Sequence, residues 1–118
     1  MYQKHKVGKI GEELAEKYII NKGYQIIEKN FSCKQGEIDI IAQDKDEIVI
    51  IEVKTRTQTK YGTPSESVNN QKQNHILRVA EYYIHFKNLQ NRYIRIDVIE
   101  VYFYKLGKCK INHIKQAF

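Results

Sequence analysis

The sequence predicts an α/β fold, a central sheet covered by helices, and three observations carry that prediction. Apolar residues recur at helical spacing in two segments, 7–22 and 67–86. Runs rich in β-branched and aromatic residues fill the stretches between and after them. The resulting order is helix, three strands, helix, two strands. Mixing both element types within 118 residues implies one mixed sheet flanked by helices, and a chain of this length is expected to form one domain, 1–118.

In the first helix Val7, Gly11, Leu14, Ala15 and Tyr18 form one stripe, while Lys9, Glu13, Glu16 and Ile20 point elsewhere. Gly23 is a natural stop after it. YQIIEKNFSCK reads as the first strand, GEIDIIAQ and EIVIIEVKT as the second and third. The polar stretch TRTQTKYGTPSES holds the single proline and reads as a loop, with Ser65 or Ser67 capping the next helix. Val68, Ile76, Val79, Ala80 and Tyr83 repeat at helical spacing along that helix. RYIRIDVIEVYFY is a long strand, KLGK a turn, and CKINHI an extra C-terminal strand. Internal repeats and low-complexity segments are lacking.

Composition narrows the function classes. With 42% hydrophobic and 29% charged residues the chain is neither disordered nor fibrous. It has no apolar run long enough to span a membrane, and its polar start, MYQKHKVGKIGEELAEK, contains no secretory apolar region, so a cytoplasmic protein is expected. Cys33 and Cys109 form no C-x-x-C pair and the histidines show no zinc spacing, which leaves two ordinary thiols. A net charge of +6, gathered in KHKVGK, KTRTQTK and LGKCKINHIK, suits a polyanionic partner, nucleic acid first.

Ionisable residues inside an apolar hairpin give the sharpest signal. In GEIDIIAQDKDEIVIIEVKTR, alternation puts Glu52 and Lys54 on the face of Ile48 and Ile50, with Val49, Ile51 and Val53 opposite. Glu37, Asp39 and Ile41 share one side of the preceding strand. A turn centred between Lys45 and Asp46 sets Asp39 opposite Glu52 and Glu37 opposite Lys54. Two carboxylates about 4 Å apart repel by roughly 4 kcal/mol at an effective dielectric near 20. Lys54 offsets part of this, and a hard divalent cation held by both acids would offset more. The competing explanation is a cross-strand ion-pair ladder at a solvated sheet end. Against it, the face is apolar first and turns charged only toward the C-terminal end of the strand, where α/β sheets place their sites.

Asp39, then Glu52 and Lys54 after twelve intervening residues, with a preceding helix carrying Glu12, resemble the PD-(D/E)xK nuclease signature. The element order is similar to the αβββαβ core of the restriction-endonuclease-like fold. The whole chain resembles the YraN-like family of uncharacterised, endonuclease-like bacterial proteins. Gly8 to Glu12, Gly36 to Asp39, Glu52 to Arg56, Lys72, Arg95 to Asp97 and the terminal Ala117 and Phe118 carry that resemblance. Ile38 stands where the wider signature often has proline.

The resemblance implies a Mg²⁺-dependent endonuclease, with Mn²⁺ as a substitute, acting on DNA that is branched or damaged, and a resolvase-like homodimer. Asp39 and Glu52 would be metal ligands with the Val53 carbonyl, and Glu12 would add a third acid. Gly8, beside Glu12 on the helical wheel, would permit close approach. Lys54 would orient water or stabilise phosphoryl charge. Asp39, Glu52 and Lys54 thus form the catalytic set. Lys72 either meets a phosphate or snorkels, and Arg56 either contacts a nucleic-acid backbone or is solvated. Asp97, between Ile96 and Val98, is expected to pair with Arg95 or a helix end, and Glu37 has no assigned role. Tyr82, Tyr83, Tyr93, Tyr102 and Tyr104 are expected to serve packing more than base stacking. The alternatives are a non-catalytic nucleic-acid-binding module and a protein-interaction domain.

Overall fold

The computed structural model of the chain describes residues 4–57, 70–104 and 107–118. Helix α1 (Lys4–Asn21) leads into strands β1 (Gln25–Cys33), β2 (Gly36–Asp44) and β3 (Glu47–Thr57). Helix α2 (Asn70–Phe86), β4 (Tyr93–Phe103) and β5 (Cys109–Ile114) follow. The α/β order matches expectation, and the differences lie at element ends. Helix α1 starts at Lys4 rather than position 7, because polar residues in a first turn add nothing to an apolar periodicity. Ser65, Ser67 and the loop they were expected to close lie outside the described residues.

The five strands form one mixed sheet in sequence order. β1, β2 and β3 meander antiparallel, β3 runs parallel to β4, and β5 returns antiparallel on β4. A parallel pair needs a long crossover between its strands, and α2 lies within this one. The helices take opposite faces. Ala15 and Ile19 of α1 meet Ile40, Ala42, Val49, Ile51, Ile99 and Val101. Ile76, Val79, Ala80 and Tyr83 of α2 meet Ile41, Ile48, Ile50 and Ile96. The period-2 alternation of β3 therefore feeds two separate cores, one on each side of the sheet. Covered on both faces and flanked by strands on both edges, β4 is buried from Arg95 to Val101. Among the described residues no helix is long and apolar enough to cross a membrane.

Pairing of β2 with β3 runs from Asp44↔Glu47 to Ile40↔Ile51, so the turn centres on Lys45 and Asp46 as expected. Lys45 takes the left-handed conformation (φ 56°) that so tight a reversal requires.

Helix α1 reaches the sheet through Gly11, not Gly8. A Cβ at Gly11 would collide with the Thr55 hydroxyl near the end of β3, whereas one at Gly8 would meet nothing within 4 Å. The close approach expected of Gly8 therefore belongs to its neighbour one turn on. Gly11→Ala should push α1 off β3 and cost about 1–3 kcal/mol, as overpacking generally does. Gly8→Ala should be neutral or slightly stabilising through helix propensity. Urea unfolding midpoints of the two variants check this directly.

Candidate active site

Beyond Ile51 the ladder between β2 and β3 gives way to a side chain. Asp39 Oδ2 accepts the Val53 N–H at 2.8 Å, the carboxylate taking the place of a strand carbonyl. The next residue on the α2 side of β3 is Glu52, which lines the same cleft as Asp39 and whose charge acts on it. The two acids expected to converge do so, on the face that also carries Lys54.

Two lysines meet at this pair. Lys54 Nζ lies 3.4 Å and Lys72 Nζ 3.7 Å from Glu52 Oε2. Lys72 projects from the first turn of α2, half-exposed, and its ammonium reaches the acids instead of turning to solvent. The choice between snorkelling and facing the site falls to the site. A cleft of about 410 Å³ opens here, lined by Glu37, Asp39, Glu52, Lys54, Lys72 and His75 among others. Its near wall is set by Gly36 (φ 141°), where α2 passes so closely that an added Cβ would lie 3.2 Å from Val79.

Burial first, then the charge and hydrogen bond of Glu52, pushes the Asp39 carboxyl up to about 8, against the opposing pull of the Val53 N–H. At neutral pH without a cation, Asp39 keeps its proton. Lys54 is shifted down by burial and by neighbouring Lys72, with Glu52 partly restoring it. Glu12 is half-buried, and its carboxyl is raised by burial, then by Glu16, Glu52 and Glu37. It thus feels the site's charge from the α1 side.

Among the described residues no three His, Cys, Asp or Glu side chains are gathered to hold a metal by themselves. Asp39 and Glu52 nonetheless suit Mg²⁺, which protein sites usually hold through one or two carboxylates, the rest of the shell being water and phosphate oxygen. Two crowded hard oxygen donors, with Asp39 raised by burial and by the Glu52 charge, are what a doubly charged cation would relieve.

Arg56 is not solvated. It is half-buried, 3.7 Å from Glu100 Oε2. Glu100 lies beside Lys54 in the parallel register of β3 and β4 and is fully buried. Asn112 Nδ2 donates to its Oε1 at 2.8 Å. Glu100 and the rim residue His75 were missed in the sequence. For Glu100 the available signal was an acid within the apolar run IDVIEV; for His75, its position one turn after Lys72. Asp97 takes the structural role expected of it, bonded to Arg95 Nε at 2.9 Å on the α1 side of β4.

Comparison with known proteins adds a family. The model of the uncharacterised protein family UPF0102 matches residues 11–101. A UPF0102 protein of Caldanaerobacter subterraneus subsp. tengcongensis is 50% identical over 98% of this chain and 96% of its own length. Relatives described in the same way from Caldicellulosiruptor bescii and Clostridioides difficile (strain 630) are each 51% identical, over 95% and 94% of this chain and 96% and 95% of theirs.

Proposed function

Because the chain belongs to the uncharacterised UPF0102 family, we propose its activity from its own site: divalent-cation-dependent hydrolysis of phosphodiester bonds in DNA, on a PD-(D/E)xK-like frame. One observation carries the proposal. Asp39 and Glu52 meet at one open cleft, with two lysines on the Glu52 carboxylate. An ion-pair ladder would leave each acid with its own cation; here the acids are drawn together instead.

Asp39 and Glu52 would hold the cation, with Glu12 adding negative charge from α1. When bound, Mg²⁺ supplies Lewis-acid polarisation of a phosphoryl oxygen and an acidified water. Lys54, anchored by Glu52 at the cleft floor, is placed to hold that water or the phosphoryl oxygens. Half-exposed at the mouth, Lys72 is placed to meet the incoming phosphate. Arg56, held by Glu100, adds positive charge two residues beyond Lys54. DNA as substrate is supported by the net charge of +6. Branched or damaged DNA is the form we favour.

Cation binding must displace the proton that Asp39 holds. Calorimetric titration with Mg²⁺ or Mn²⁺ at pH 7, in buffers of different ionisation heat, should show about one proton released per cation bound. Asp39→Asn should abolish both binding and release. No binding by wild type, together with no cleavage of linear, nicked or four-way DNA, would overturn the proposal. A non-catalytic binding module would bind DNA in a salt-sensitive way and be indifferent to Glu52→Gln.

A further inference from the structure

We infer that the groove leading from the acidic pair along α2 to Tyr82 and Phe86 is a track for a single-stranded segment of nucleic acid. The inference rests on the phosphodiester reading of the acidic end and goes on to name the form of substrate. A second cleft, of about 520 Å³, lies farther along the same helix. It begins at Gln35, next to Gly36 of the acidic cleft, and its helix wall begins at Arg78, next to Val79. The same turn and the same helix thus line both. From Lys72 to Phe86 the helix rises about 21 Å. That is room for at most about six nucleotides at the stacked spacing of one strand.

The far end is aromatic and uncovered. Tyr82 and Phe86 stack with centroids 5.9 Å apart and planes 15° from parallel, and they are 42% and 59% exposed. Phe31 of β1 stands 6.2 Å behind Tyr82 and meets the buried Tyr83 edge-on at 5.0 Å. Packing was expected to account for the late tyrosines, and it accounts for Tyr83. It leaves the stacked Tyr82 and Phe86 pair, backed by Phe31, exposed at the groove.

Charge selects the occupant. Lys72 and Arg78 lie along the track, Lys34 is exposed at its turn, and Lys87 Nζ sits 5.3 Å from the Phe86 ring centroid. The facing acids are Glu37, Glu81 and Glu28, the last 3.9 Å from Lys87. Cations spaced along a groove that ends in stacked rings form the usual platform for unpaired bases. A duplex turns its base faces inward and offers such rings nothing.

The test is fluorescence anisotropy in EDTA with a labelled blunt hairpin duplex, alone or extended by a six-nucleotide oligothymidine tail. The tail should tighten binding about tenfold, the worth of one well-stacked base. The double variant Tyr82→Ala/Phe86→Ala should lose that gain and bind the blunt duplex as wild type does. In this tryptophan-free chain, Phe86→Trp should keep the gain and show emission quenched by the tail. Equal affinity for blunt and tailed duplex, or an unquenched tryptophan, would overturn the inference. So would a dimer that the double variant dissolves with the tail's gain unchanged, since a second copy would then be the occupant. EDTA separates the two proposals: a tail gain without any cleavage keeps the track and sinks only the hydrolysis.

Discussion

Asp97→Ala should cost about 3–5 kcal/mol, the usual loss when one partner of a buried ion pair is removed. For a chain of this size that corresponds to a fall in Tm of roughly 10 °C or more. Asp97 is fully buried and accepts from Arg95 Nε at 2.9 Å, Arg95 Nη2 at 3.1 Å and the Gln116 N–H at 3.0 Å. His113 Nε2 lies 2.6 Å from the same carboxylate, and the Tyr18 hydroxyl lies 3.1 Å from His113 Nδ1. Arg95 in turn donates to the Tyr24 hydroxyl at 2.7 Å, Glu47 at 3.0 Å and Asp44 at 3.3 Å. One carboxylate therefore ties α1, the hairpin, β4, β5 and the C-terminal tail together. Without it the buried guanidinium keeps Glu47 and Asp44 but loses its one fully buried anion, and total stability is only about 5–15 kcal/mol. The double variant Arg95→Ala/Asp97→Ala should lose less than the sum of the singles, because the stranded charge goes too.

The pH dependence of that loss follows from the direction of the shift. Burial alone would raise the Asp97 carboxyl, but hydrogen bonds from His113, Arg95 and the Gln116 N–H hold it below its usual value of 3.8. Stability from a depressed acid is fully present above the ordinary value and lost as pH falls through the folded one. Wild type and Asp97→Ala should differ most at neutral pH and converge in strong acid, as urea unfolding at several pH values will report. A constant difference down to the acid limit would show that packing, not the ion pair, is what the alanine removes.

The element order was legible because each segment is dominated by one period, and the hairpin's parity followed from a two-residue turn with alternation next to it on either side, even though Ile38 and Ile41 of β2 both end in the α2-side core. That parity was enough to bring Asp39 and Glu52 together. What escaped was whatever depends on partners far along the chain. Gly8 and Gly11 are both small residues near one edge of the α1 stripe, and only docking against Thr55 decides which one makes the contact. Glu100 is just another acid in a strand until the parallel register lays it beside Lys54, two elements away. His113 and Tyr18 join Asp97 through a meeting of β5 with α1 that no local pattern encodes. Tyr82 and Tyr83 are adjacent residues of one helix, yet one is core and the other groove, because a step of about 100° separates them.

Asp39→Asn should lower cleavage by a factor of about 10²–10³ or more, as removing one electrostatic element of a site does, and yet stabilise the metal-free fold. The signs oppose because the site trades stability for charge. Asp39 keeps its proton up to about pH 8 in the fold, against 3.8 ordinarily. A raised acid binds more protons folded than unfolded throughout that window, so wild-type stability falls as pH climbs from about 4 to about 8 and levels off above. Asparagine cannot ionise, and its fold should escape that decline. Thermal melts in EDTA at pH 5 and pH 9 should show the variant gaining on wild type at the higher value. Mg²⁺ at about a hundred times its Kd should then stabilise wild type by about 2.7 kcal/mol and leave the variant unmoved. Lys54→Ala separates the two halves of the site: the acids remain, so the Mg²⁺ response should persist while cleavage is lost. If Asp39→Asn differs from wild type by the same amount at pH 9 as at pH 5, the carboxylate is an ordinary structural acid, and Lys54 guards no cation site.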